Sequence, residues 1–178
     1  MTQGKSWSID TTHSSIGFTV RHMVFAKVHG RFARWSGKMA LNEADFVPTQ
    51  VDVEIDAASI DTGVADRDKH LCSADFLDAE RYPKLTFRSK RVEKAGPSGL
   101  QITGDLSMHG VTREVVLQAE YGGQGKDPWG NQRVGFTAST SVDRREFGLE
   151  WNQVLEAGGV LVGERVDVEI EIQAVQST

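Results

Sequence analysis

The chain has one cysteine, four prolines and two tyrosines in 178 residues. Cys72 alone cannot close an internal disulfide, so an oxidising compartment offers it no staple. A basic excess is also missing: the formal net charge is -5, and lysines and arginines lie scattered along the chain. That argues against a protein that neutralises nucleic-acid phosphates. No apolar stretch approaches the about 20 residues of a membrane-spanning helix. The N-terminus passes through Met1-Thr2-Gln3-Gly4-Lys5-Ser6 into Trp7-Ser8-Ile9-Asp10 without the apolar core of a signal peptide. The expectation is a soluble, cytoplasmic protein. Its length suits one continuous core better than two, which gives a single domain over residues 1–178.

What is present is alternation. Ile16, Phe18 and Val20 are apolar at every second position, as are Val51, Val53 and Ile55 with Asp52 and Glu54 between them. The same rhythm returns at Leu85 and Phe87, Leu100 and Ile102, Val115 and Leu117, Val134 and Phe136, and from Val166 to Ile172. Period two marks half-buried strands. Eight or nine of them are expected, joined by short turns rich in Gly, Pro and Asn that favour antiparallel neighbours. This is an all-β chain able to close an eight-stranded barrel. One stretch breaks the rhythm: Gly63 to Phe76 reads as a helical insert, placed around residues 63–77, with Ser73 and Asp75 set to start a last short turn.

A small barrel is either filled by its own side chains or open enough for one slender ligand. The aromatics at strand spacing fit both outcomes. The five histidines, His13, His22, His29, His70 and His109, show no metal-ligand spacing and no partner cysteine pair, so no metal and no cofactor is expected. Carboxylates at Asp61, Asp66, Asp68 and Asp78 leave an acid–base enzyme conceivable, yet no nucleophile elbow or phosphate-cradling loop accompanies them. The expectation is a binding protein, not an enzyme, with a surface-acting scaffold built on a filled barrel as the alternative.

Several spaced motifs together resemble one bacterial family. Trp7-x-Ile9-Asp10-x-x-His13-Ser14-x-Ile16-x-Phe18-x-Val20-x-His22-Met23 opens the chain, and Val28-x-Gly30-x-Phe32 follows. Ser59-Ile60-Asp61-Thr62, Arg67-Asp68-Lys69-His70-Leu71-Cys72-Ser73, Asp75-Phe76-Leu77-Asp78, Tyr82-Pro83 and Thr86-Phe87 form a central signature. Gly104-Asp105-Leu106, Gly110-Val111-Thr112 and Asp143-Arg144-x-x-Phe147-Gly148 complete the order. The chain is similar in this respect to the YceI-like family over nearly its whole length.

That resemblance implies a lipocalin-like barrel whose elongated cavity takes up a polyisoprenoid or similar amphiphile. Many members are exported, which this N-terminus does not suggest. The wall is expected to include Phe18, Val20, Met23, Phe25, Phe32, Trp35, Phe76, Phe87, Phe136, Phe147 and Trp151. Arg67, Asp68, His70 and Arg144 are the candidates for a polar head group under the helical flap, since on a helix Asp66 and His70 share one face, as do Arg67 and Leu71. Arg67 and Asp68 tying the flap to the rim is the competing role, and Arg144 beside Arg145 is equally readable as a solvated charge cluster. Residues 22–29 read as a loop with a lid or rim role. The partner expected is an amphiphilic isoprenoid lipid, with no nucleic acid and with a homodimer possible through an open strand edge.

Overall fold

The computed structural model describes residues 5–177. Strands β1 (Lys5–Ile9) and β2 (Ser15–His22) flank a 3-10 turn at Thr11–His13, which the Asp10 carboxylate caps by accepting the Thr12 N–H. Strands β3 (Ala26–Phe32) and β4 (Trp35–Leu41) are separated only by Ala33 and Arg34. Because β1 pairs with β4 and β2 with β3, each couple acts as one long strand with a bend.

Then come β5 (Pro48–Asp56), the short β6 (Ile60–Asp61), helix α1 (Ala65–Cys72), β7 (Lys84–Lys94), β8 (Gly99–Met108), β9 (Val111–Lys126), β10 (Gln132–Asp143) and β11 (Val162–Gln176). The sheet runs β1-β4-β5-β7-β8-β9-β10-β11 and returns to β1, every pairing antiparallel. That closes eight staves into a barrel, as the alternation predicts. β11 is long enough to pair with β1 at one end and β2 at the other, and β6 covers the free edge of β3.

Two expectations change. Residues 22–29 are not a loop: β2 runs to His22, β3 starts at Ala26, and only Met23–Phe25 turn. Ala26, Val28, Gly30 and Phe32 do alternate inward, but alanine and glycine carry too little apolar bulk for the period to show in the sequence. Gly30 has a packing reason to be glycine, since a Cβ there would lie 2.2 Å from the Phe18 ring that covers it. The helical insert is also shorter than read, ending at Cys72. The Ser73 hydroxyl donates to the His70 carbonyl at 2.5 Å and accepts the Asp75 N–H at 3.3 Å, and the Phe76 N–H closes on the Ser73 carbonyl at 3.0 Å, so Ser73 caps the expected last short turn, outside the helix. No helix among the described residues is long and apolar enough to cross a membrane.

The interior divides into two apolar clusters. One, around Trp7, Met39, Leu41, Val51, Ile102, Val134 and Phe136, sits toward the end where the turns 42–47, 95–98 and 127–131 lie. An aromatic plug closes that end: Trp7 meets the Phe46 ring edge-on at 6.3 Å, Phe46 stacks on Tyr121 at 6.2 Å, and Tyr121 meets Phe136 at 5.6 Å. The other cluster, around Ile16, Ile55, Ile60, Leu77, Leu85, Val142 and Phe147, lies beneath α1 and the 3-10 turn Arg144–Phe147.

Candidate functional site

Between the clusters runs a cavity of about 570 Å³, inside the range of roughly 300–1,000 Å³ usual for ligand pockets. The barrel is therefore not filled. Its deep wall is almost wholly apolar, from Ile9, Met39, Val51, Ile102, Phe136 and Ile172 near the plug, past Phe87, Leu106 and Leu117, to Ile16, Ile55, Leu85, Val142 and Ile170. The ionisable groups on the wall are Arg21, His22, Asp66, Arg67, His70 and Arg144, and all six come from the end where α1 sits. Strand period explains this division: inward positions of the staves are apolar apart from Thr140, and the ionisable groups enter from α1, the 3-10 turn and the mouth end of β2.

The structure places Phe18, Val20, Phe32, Phe76, Phe87, Phe136 and Trp151 on the cavity wall. It places four other expected wall residues elsewhere. Phe25 is 80% exposed and Met23 40%, because their turn projects beyond the barrel rim. Phe147 is fully buried in the 3-10 turn and packs in the cluster beneath α1. Trp35 packs against both clusters beside the cavity, just after the bend between β3 and β4. Aromatic identity at strand spacing cannot separate core, wall and rim, since all three use large apolar side chains.

Of the head-group candidates, Arg67, His70 and Arg144 reach the cavity and Asp68 does not. Asp68 Oδ1 instead accepts both the Thr62 N–H, at 2.9 Å, and the Thr62 hydroxyl, at 2.5 Å. Arg67 donates through Nε to Thr62 Oγ1 at 2.7 Å and through Nη2 to the Thr62 carbonyl at 2.8 Å. Thr62 thus fastens α1 to the rim, and Arg67 is a tether whose side chain also lies in the wall. His70 Nε2 pairs with Asp75 Oδ2 at 2.8 Å and meets the rings of Trp151 and Phe76 edge-on at 4.7 and 5.1 Å.

Arg144 is the unusual group. It is 4% exposed, and its donors go to main-chain carbonyls: Nε to Gly163 at 2.8 Å, and the two terminal nitrogens to Leu149 and Val162. Among the described residues no carboxylate forms an ion pair with it, although Asp143 and Glu164 act from farther off. Burial pulls its pKa below the ordinary arginine value. A full positive charge is thus held at the inner lip of an apolar cavity, 5.9 Å from the Phe76 ring centre. Its neighbour Arg145 belongs to a surface cluster with Asp143 and Glu164. Sequence reasoning paired the two arginines; the 3-10 turn sends one in and the other out.

The carboxylates that an acid–base enzyme would need do not converge. Asp61 faces Arg31 and the Gly63 N–H, Asp68 is committed to Thr62, and only Asp66 reaches the cavity. Burial first, then the charges of Asp68 and Asp56, push the Cys72 thiol up, away from nucleophilic use. Asn152 escaped the sequence reading altogether. It accepts the Val162 N–H and donates to the Val162 carbonyl, closing the loop that carries Trp151 over the mouth.

Comparison with known proteins agrees with this geometry. Residues 7–174 match the YceI-like domain. A UPF0312 protein of Vibrio cholerae serotype O1 is 39% identical over 170 residues, covering 94% of this chain and 86% of its own. The crystal structure of BcnA from Burkholderia cenocepacia superposes with a TM-score of 0.80 at 20% identity, over 93% of this chain and 98% of that one. A polyisoprenoid binding domain from Saccharophagus degradans gives a TM-score of 0.70 at 16% identity, over 97% and 99%. At those identities the two structures speak for the fold alone. The family match and the curated relative go further: this chain belongs to the YceI-like family.

Proposed function

We propose that the protein binds a polyisoprenoid or similar amphiphilic lipid, of isoprenoid phosphate or quinone type, with its tail along the barrel and its head at the mouth. It would serve as a carrier, buffer or sequestering protein, by encapsulation and without chemistry. The observation that carries this reading is the segregation of the cavity: a long apolar interior, with ionisable groups on its wall only at one end. A tail needs the first feature and a polar head the second. The binding domain from Saccharophagus degradans, similar in fold, lends support by analogy.

Magnitudes make encapsulation sufficient. Burying one five-carbon isoprene unit contributes on the order of 3 to 4 kcal/mol at about 0.8 kcal/mol per carbon group. Three or four units then offset an association cost of roughly 4 to 15 kcal/mol. The head group adds selectivity more than affinity, and Arg144 and Arg67 suit an anionic or carbonyl oxygen that the apolar wall would leave unsatisfied.

The test is native mass spectrometry of protein purified from its own host, followed by analysis of the organic extract. A bound isoprenoid of defined mass is expected. A clean apo mass that persists after incubation with farnesyl phosphate and with farnesol would overturn the reading.

A further inference from the structure

The hairpin between β2 and β3 breaks three local rules at once. Its turn, Met23-Val24-Phe25, is apolar where turns are normally Gly, Asn or Asp. The Phe25 N–H closes it on the Met23 carbonyl at 2.9 Å across Val24, with φ of 52° at Met23 and 70° at Val24. Positive φ at a β-branched residue is strained, and the tight turn of this kind is rare. The strain supports no burial: Phe25 is 80% exposed and Val24 56%, although Val24 leans on Gly159 of the neighbouring loop, where Val154 is 81% exposed.

The third rule concerns charge. Arg21 and Lys27 stand directly opposite each other across the hairpin, a like-charge pair that costs stability. Neither has an ion-pair partner among the described residues, and the Arg21 guanidinium bonds only the Val24 carbonyl. The cations that look scattered along the chain have a bias here. From Thr11 to Asn42 there is no Asp or Glu; Arg31 and Arg34 farther along pair with Asp61 and Asp56, which leaves Arg21 and Lys27 as the cations at the hairpin. Of the acids on the adjoining β11, Glu164 pairs with Arg145 and Asp167 with Arg165, and the Lys27 charge reaches Asp167 only from a distance.

We infer that this hairpin is a membrane-docking element: Met23, Val24 and Phe25 enter the headgroup region of an anionic lipid bilayer while Arg21 and Lys27 meet its surface charge. The occupant follows from charge and place. An apolar tip with a cationic base complements an anionic lipid surface, whereas a two-fold contact between this hairpin and its copy would set Arg21 and Lys27 against the same two cations. The tip also continues the wall of the cavity mouth through His22 and Arg21. Docking there sets the mouth against the bilayer, so that an apolar tail passes into the barrel without crossing water. The inference rests on the lipid-binding reading above.

Flotation with vesicles of phosphatidylcholine alone, and of equal parts phosphatidylcholine and phosphatidylglycerol, tests it. The wild type is expected to float with the anionic vesicles and far less with the neutral ones. Lys27→Gln should weaken partitioning about fivefold and Phe25→Ser on the order of tenfold. Both positions lie outside the cavity wall, so uptake of detergent-dispersed farnesyl phosphate, read by native mass spectrometry, should stay at the wild-type level.

Val24→Gly gives the sharpest contrast. It relieves the positive φ and removes the apolar tip, so thermal stability should rise while vesicle binding falls. Equal wild-type binding to both vesicle types, or to neither, overturns docking. So does a dimer that Phe25→Ser splits, with vesicle binding untouched. Loss of farnesyl phosphate uptake in the wild type with anionic-vesicle binding intact would instead sink the cargo reading and leave the docking surface standing.

Discussion

At the residue scale, Gly30 and Arg144 show how single atoms shape the cavity. The Phe18 ring lies over Gly30, its cross-strand partner, so any Cβ must displace the ring into the lumen or across the wall. Gly30→Ala should cost about 1–3 kcal/mol of stability through overpacking. It should also shorten the longest isoprenoid retained, which a chain-length series of prenyl alcohols would show; unchanged length selectivity would mean that the ring moves outward. Arg144→Lys keeps the charge but not the three carbonyl contacts, and Arg144→Gln removes the charge as well. Both should lose on the order of 2 to 3 kcal/mol of stability, as for hydrogen bonds from a charged donor. Only the glutamine variant should lose the preference for farnesyl phosphate over farnesol. An undiminished preference in that variant would move the head-group role to Arg67.

The element that matters most is α1, an eight-residue helix with no side-chain N-cap. Helices this short are marginal alone. What holds α1 down is Thr62, which serves Asp68 and Arg67 together. Asp68→Ala should therefore loosen the flap by about 1–2 kcal/mol and speed lipid exchange in stopped-flow transfer between protein and vesicles, with little change in equilibrium affinity. An exchange rate equal to the wild type's would place the entrance away from α1. The competing role weighed for Arg67 and Asp68, tying the flap to the rim, describes Asp68 well and Arg67 in part. No sequence spacing separates a tether from a ligand group on the same helix, since both are polar residues on the face toward the barrel.

Over the whole molecule, stability in acid should turn on the clamp where β1, β10 and the 127–131 turn meet. Arg133 reaches Asp10 at 2.8 Å and Asp127 at 2.9 Å, in a site where the three side chains are a quarter exposed or less. The Arg133 hydrogen bond first, and His13 second, hold the Asp10 carboxyl far below the usual carboxylate range. The folded protein then binds fewer protons here than the unfolded chain does. This contribution is complete above the unfolded carboxylate pKa of about 3.9, and it is lost as pH falls below that value toward the depressed folded one. Chemical denaturation at a series of pH values should show a steep acid limb, flattened in Asp10→Asn. An identical limb in that variant would assign acid lability to other carboxylates.

The sequence by itself determined an antiparallel all-β chain able to close a barrel, because a period of two marks each half-buried strand independently, and the family motifs pointed to the closed form. It also marked the helical insert, since charged residues at helical spacing cannot sit in a half-buried strand. Tertiary structure alone decided that the barrel is hollow, because a void depends on how opposite walls meet and not on any one wall's composition. It turned Arg144 inward and Arg145 outward, a choice made by one 3-10 turn that no residue type dictates. It also carried Met23 and Phe25 out of the interior, where their chemistry alone would have placed them, and set them beside the mouth. Burial is a property of where a strand ends, and strand ends are fixed by pairing partners more than a hundred residues away in β11.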